Sequence, residues 1–238
     1  FQTNIIDFSE TKHDKSTYSI FGGSIVLEGS TLNARQFATQ GSREKMAAQI
    51  FTGTEHFRSG ASKVTKDTPE PYKKVQSWLQ VSYQNETYHK VSPKFTLGAY
   101  LEAYYSSRNF SNNYTATLMQ AGEFTPTAHS KVTYNEAFRA NQYAGVGAIP
   151  IYQLSESFQL RGEFYGFVPI FPIKKDEYGQ AYYGKAFTKF EYLGEISLVF
   201  QLSFGSISAY VNHYSSPSND WNVGLTLGWQ LFNSRFIE

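Results

Sequence analysis

The stretch Trp221-Asn222-Val223-Gly224-Leu225-Thr226-Leu227-Gly228-Trp229-Gln230-Leu231-Phe232 decides the fold. Every second residue from Trp221 to Leu231 is large and apolar. Those between are Asn222, Gly224, Thr226, Gly228 and Gln230. Successive side chains of a strand point to opposite faces, so this segment has one greasy face and one small, polar face. The same period recurs upstream. Over Phe187 to Leu202, Phe190, Tyr192, Ile196, Leu198, Phe200 and Leu202 oppose Lys189, Glu191, Glu195, Ser197 and Gln201. Over Ser157 to Val168, Phe158, Leu160, Gly162, Phe164 and Val168 oppose Gln159, Arg161, Glu163 and Tyr165. Over Phe95 to Tyr105, Phe95, Leu97, Ala99, Leu101 and Ala103 oppose Thr96, Gly98, Tyr100, Glu102 and Tyr104.

These strands are longer than the usual strands of globular sheets. Aromatic residues near strand ends (Tyr104, Tyr105, Tyr214, Trp221, Trp229) suit an interfacial girdle. Composition agrees: aromatics make up 17% of the chain, with 20 Phe and 18 Tyr, yet mean hydropathy is −0.41. Rings toward lipid and polar groups toward a lumen would reconcile the two. A soluble sandwich or a lipocalin-like barrel shares the composition. The expected class is therefore all-β, an antiparallel transmembrane β-barrel of the bacterial outer membrane, with residues 1–238 as one barrel domain. The partners this implies are outer-membrane lipids, or detergent in their place, with homo-oligomerisation left open.

Weaker strand signals lie at Asn4 to Phe8, Tyr18 to Leu27, Leu32 to Thr39, Lys45 to Glu55, Tyr72 to Gln84 and Tyr114 to Gln120, for about 12 strands in all. Short links (Leu154 to Glu156, Ser203 to Phe204) alternate with longer ones (Phe171 to Lys185, Ser215 to Asp220). Outer-membrane barrels have short periplasmic turns and longer outer loops, so Phe171–Lys185 reads as extracellular. The chain's C-terminal end then reads as periplasmic. Gly122 to Gln142 breaks the alternation. A short helix over Ser130 to Ala140, a poor strand or a long ordered loop all fit it. Loops this long are usually functional, and this one is expected to fold back into the lumen.

Lys+Arg total 21 against 20 Asp+Glu, which gives no electrostatic case for nucleic acid. The absence of cysteine excludes disulfides and thiolate metal sites. The five histidines have no metal-ligand spacing, and no cofactor is called for. His129, inside the irregular segment, is the histidine to watch. Gly22-Gly23-Ser24-Ile25-Val26 lacks the second glycine of a nucleophile elbow, so Ser24 reads as a strand residue. Arg161, Glu163, Lys189, Glu191, Glu195 and Glu102 fall on inward faces, where charges are expected to pair. One expected lumen pair is Arg139 with Glu163, since a guanidinium fork suits a carboxylate.

Phe138-Arg139-Ala140-Asn141-Gln142-Tyr143 resembles the inward-loop motif of the bacterial surface antigen barrel superfamily, which includes outer-membrane insertases and two-partner secretion transporters. That motif is Arg-Gly-aromatic. Here Ala140 stands for the glycine and the aromatic comes later, so only Arg139 is carried over. More narrowly, residues 115–238 resemble the barrel of patatin-like phospholipases from Bacteroides-type bacteria. Glu163-Phe164-Tyr165-Gly166-Phe167-Val168-Pro169, Phe187-Thr188-Lys189-Phe190-Glu191-Tyr192, Gly205-Ser206-Ile207-Ser208-Ala209-Tyr210-Val211-Asn212-His213-Tyr214 and Gly228-Trp229-Gln230-Leu231-Phe232 carry that likeness. It implies a barrel of about 16 strands that anchors or translocates an upstream lipase domain, with no catalysis in this chain. The alternative is a stand-alone porin or lipid transporter. Asn222, Gly224, Leu227 and Trp229 resemble the terminal signal read by the barrel assembly machinery.

Overall fold

The computed structural model describes residues 15–58, 72–111, 113–177, 179–216 and 221–229. In chain order the elements are β1 (Lys15–Ser30), β2 (Gly41–Arg58), β3 (Tyr72–Lys90), β4 (Phe95–Ser106), α1 (Tyr114–Gln120), β5 (Gly122–Glu123), β6 (Arg139–Ala140), β7 (Gln142–Gln153), β8 (Phe158–Pro169), β9 (Ile173–Lys175), β10 (Ala181–Tyr183), β11 (Glu191–Leu202), β12 (Gly205–Tyr214) and β13 (Trp221–Trp229). Nine of them form one antiparallel sheet in the order β1-β2-β3-β4-β7-β8-β11-β12-β13. β5 pairs with β6 and β9 with β10 as separate short ribbons.

The all-β, antiparallel expectation holds. Among the described residues the large sheet has nine strands, and β1 pairs there only with β2 and β13 only with β12. Two expected strands are something else. Tyr114 to Gln120 is an α-helix because Asn113 accepts a hydrogen bond from Ala116 N at 2.8 Å, an N-cap that fixes helical backbone. Leu32 to Thr39 is a connection folded by Asn33, whose Oδ1 accepts from Thr39 N and Gln40 N. Asn4 to Phe8, Gln230 to Phe232 and the side chain of Trp229 lie outside the described residues.

The two faces of the sheet differ in kind. On β8, Gln159, Arg161, Glu163 and Tyr165 are buried while Leu160 and Phe164 are exposed. On β11, Glu191, Glu195 and Ser197 are buried while Tyr192, Ile196 and Leu198 are exposed. Two girdle candidates need correcting. Tyr105 and Trp221 stand on the bare face, but Tyr214 is buried on the covered one, and Tyr104 stacks on Tyr143 there at 5.3 Å.

Short turns (91–94, 154–157, 203–204) sit at one end of the sheet and longer connections (107–141, 170–190) at the other. The 31–40 connection reaches far across. Gln201 Nε2 donates to Gln36 O at 3.1 Å, and Ser206 Oγ to Gln36 Oε1 at 2.9 Å. A hairpin turn at the β1 edge therefore touches β11 and β12 near the opposite edge, so the sheet is strongly curled around its covered face.

Glycines let aromatic rings lie flat on that face. A Cβ at Gly98 would stand 2.6 Å from the ring of Tyr88, and one at Gly147 would stand 2.3 Å from that of Tyr165. Both are direct cross-strand partners, Tyr88 with Gly98 and Gly147 with Tyr165. This is ring-over-glycine pairing between neighbouring strands.

Candidate functional site

The covered face is filled by the segment between β4 and β7. β5 and β6 clamp its base, through Glu123 opposite Arg139 and Phe124 N donating to Phe138 O at 2.9 Å. Between them run two 3₁₀ turns, Ser130–Val132 and Glu136–Phe138, the second capped by Asn135 Oδ1. Of the three readings open for this segment, the long ordered loop is the one that fits: it is packed on the covered face and carries two short 3₁₀ turns, with no α-helix over Ser130 to Ala140. Phe124 anchors it. Its ring meets Tyr100, Tyr143, Tyr165 and Phe167 at centroid distances of 5.5 to 6.3 Å. Phe138 packs on Phe167 and Tyr214, both at 5.6 Å.

The far tip is held by polar contacts. His129 Nδ1 lies 2.6 Å from Glu195 Oε1, and both side chains are almost wholly buried. Asn212 Nδ2 donates to Glu195 Oε2 at 3.3 Å, and Asn222 Nδ2 donates to Asn212 Oδ1 at 3.2 Å. The His129 ring stacks on Tyr210, 3.6 Å between centroids and 13° apart, with Nε2 3.4 Å from Ser208 Oγ. Serine, histidine and carboxylate in this order can relay a proton in acyl transfer. Here the Ser208 Oγ contact is long, and its residue is only 1% exposed. The arrangement serves as a tether from the loop tip to β11 and β12.

A second buried network joins the sheet to the 31–40 connection. Arg161 Nε pairs with Glu163 Oε1, its Nη1 donates to Ala38 O at 2.9 Å and its Nη2 to Tyr88 OH at 2.7 Å. Tyr165 OH donates to Glu163 Oε2 at 2.8 Å. The desolvated charges are therefore compensated on several sides, as buried ion pairs require.

The expected pair between Arg139 and Glu163 does not form. Arg139 Nη2 meets Glu123 Oε2 at 2.7 Å, its Nη1 reaches the Leu118 and Met119 carbonyls, and its guanidinium lies 4.8 Å from the Tyr134 ring centroid. The β5–β6 pairing sets Glu123 directly opposite Arg139. Glu163, deeper in β8, is already engaged by Arg161 and Tyr165. Arg139 therefore closes the base of the segment, while the neighbouring Arg161 is the residue that pairs with Glu163. No periodicity separates these two arginines; the signal for Arg161 was its place two residues before Glu163, on the same strand face.

Where β4 hands over to this segment, Arg108 stacks on Trp78 at 4.3 Å and near Tyr18 at 5.6 Å. Burial draws its guanidinium below the ordinary arginine pKa. Its carbonyl accepts from Asn141 Nδ2 at 3.3 Å, tying the two ends of the segment together.

Ser24 stands mid-strand in β1 opposite Gln49, away from any strand-to-helix turn. Asn222, Gly224, Leu227 and Trp229 all lie on β13, with Leu227 exposed and Asn222 turned to the covered face. No group of three or more metal-ligating side chains occurs among the described residues. No family model, curated protein or solved structure matches the chain, which leaves this geometry to carry the functional reading.

Proposed function

We propose that the curled sheet is the wall of a bacterial outer-membrane β-barrel with a filled interior. In this reading it anchors, or passes across the membrane, a patatin-like phospholipase domain attached upstream, and itself performs no catalysis. The observation that supports the membrane is the inversion of burial. Arg161, Glu163, Glu195 and His129 are each at most 4% exposed, while Phe164, Ile196, Val223 and Leu225 are 50% exposed or more. Soluble proteins hide their aliphatic side chains, and large contiguous apolar patches mark interaction surfaces. Apolar outside and polar inside is the arrangement of a membrane barrel. No described helix is long and apolar enough to cross a membrane.

The filled interior favours an anchor over an open porin. The segment from β4 to β7 and the 31–40 connection both occupy the covered face. The edges of β1 and β13 would be closed against each other or by further strands, since bare sheet edges invite pairing. Recognition of β13 by the barrel assembly machinery, through Asn222, Gly224, Leu227 and Trp229, belongs to the same proposal.

The test is to isolate the protein from outer membranes in detergent and measure its intact mass and its heat-dependent migration in gels. A mass well above 27.0 kDa with a heat-modifiable band supports an anchored, larger protein. A 27.0 kDa heat-modifiable species with steady single-channel conductance in planar bilayers would replace the anchor by a porin or lipid transporter. A protein that stays in solution without detergent overturns the membrane reading.

A further inference from the structure

The covered face is entered from both ends. The 31–40 connection comes from the short-turn end, where Gly41 pairs with Tyr88 near the close of β3. The segment between β5 and β6 comes from the other end, and the two meet. Side chains of the sheet catch three consecutive backbone carbonyls of the connection. Gln201 Nε2 donates to Gln36 O at 3.1 Å and to Phe37 O at 3.2 Å. Gln159 Nε2 donates to Phe37 O at 3.1 Å, and Arg161 Nη1 to Ala38 O at 2.9 Å.

The strand register sets these anchors on successive rows of the face. Gln201 stands opposite Ser206, Gln159 opposite Val199, Arg161 opposite Ser197 and Glu163 opposite Glu195. The last of these rows is the one that holds His129, through Glu195. The ring of Phe37 lies 6.4 Å from that of His129, within the range of aromatic pairs. The connection therefore ends where the tip of the inner segment is tethered.

Its base is closed by bonds of its own. Thr31 N donates to Ser42 O at 2.8 Å and Asn33 N to Gln40 O at 3.1 Å, while Asn33 Oδ1 accepts from Thr39 N and Gln40 N. That frame does not depend on the rows beneath it, so the connection can move as a unit. At its tip, Phe37 has a φ of 54°, a left-handed backbone that is uncommon for a residue with a side chain. Such strain persists where the surroundings hold it. Here the holders are hydrogen bonds to carbonyls, which water can replace at small net cost. The inner segment is anchored differently. Phe124 and Phe138 sit among Tyr143, Tyr165, Phe167 and Tyr214, and water cannot replace that burial. Of the two elements on the covered face, the 31–40 connection is the one built to leave first.

We propose that the 31–40 connection is a latch on the inner segment. Seated, it keeps water from the His129–Glu195 tether. Swung away, it relieves the strain at Phe37 and lets water reach the pair, so that residues 127–133 detach while the base at Phe124 stays anchored. The latch does not rest on the membrane reading.

The test is amide hydrogen exchange of residues 127–133 in the full chain, in detergent or in buffer if the protein needs none. The chain has no cysteine, so Gln36→Cys combined with Ser206→Cys supplies its only thiols. In the parent chain these two side chains lie 2.9 Å apart. A short bis-methanethiosulfonate reagent joins the thiols, and a reductant parts them. The expected result is that linking slows exchange over 127–133 about tenfold and that reduction restores it. Gln201→Met keeps the length of the side chain and removes its donors. It should speed the same exchange about tenfold, while β11 and β12 keep their protection. An unchanged rate on linking, or in Gln201→Met, overturns the latch. So does faster exchange in Gln201→Met that spreads through β11 and β12, which would be loss of the sheet.

Discussion

The two faces of β8 and β11 are made from the same strands and obey opposite rules. On the covered face, every charge has a partner and every ring has a seat: Arg161 with Glu163, Glu195 with His129, Tyr165 on Gly147. On the bare face, Leu160, Phe164, Ile196 and Leu198 stand exposed. Specific geometry is concentrated where water is excluded, and apolar area is left where no part of the described chain covers it. The largest effect should follow from breaking the first rule. Glu163→Ala leaves Arg161 buried without its carboxylate and should cost about 3–5 kcal/mol of unfolding free energy. Urea titration of the detergent-folded protein checks this. A loss under about 1 kcal/mol would mean that water reaches this face after all.

The second rule is broken by Leu198→Arg. If the bare face meets lipid, the substitution costs about 2–4 kcal/mol near the middle of the wall and lowers the yield of the folded band. In water the same change would be close to neutral and would improve solubility. Folding titrations into lipid vesicles separate these outcomes. The comparison between Glu163→Ala and Leu198→Arg is sharper than either alone. A barrel loses stability from both, whereas a soluble curled sheet loses it only from the first.

Much of this contrast was legible in the sequence because a period of two needs no tertiary knowledge. The faces read for Ser157 to Val168 and for Phe187 to Leu202 match the burial residue by residue at Gln159, Arg161, Glu163, Glu191 and Glu195. What was not legible depended on contacts between distant parts. Tyr114 to Gln120 alternates well enough for a strand, yet the side chain of one residue outside it, Asn113, selects the helix. Phe37 and Ala38 lie far from Gln159 and Arg161 in sequence, so nothing local announced that their carbonyls would receive those side chains. The partner of Arg139 was missed for the opposite reason. It depends on a two-residue ribbon too short to leave a pattern.

A smaller effect should come from Gly145→Ala. Its Cβ would stand 2.1 Å from the Phe124 ring, which is held by aromatic neighbours on several sides. The ring cannot yield freely, so overpacking should cost about 1–3 kcal/mol. The damage should be local to the segment between β5 and β6. Amide hydrogen exchange should rise there while β11 and β12 keep their protection. Uniform loss of protection would mean that the segment is integral to the fold of the sheet, beyond filling its covered face.

The smallest effect, and the one that isolates what a glycine is for, is Gly194→Ala on the bare face. The added methyl group meets only Phe164, at an ordinary distance. A glycine inside a strand carries more freedom to lose on folding than an alanine. The substitution should therefore leave unfolding free energy unchanged or raise it by about 0.4–1 kcal/mol, through the unfolded chain. Side by side with Gly145→Ala, the same chemical change on the two faces of one sheet, on β7 and β11 with β8 between them, should have opposite signs. Thermal unfolding of both variants in one detergent measures that difference. A destabilised Gly194→Ala would mean that something occupies the space above Gly194 in the folded protein under those conditions.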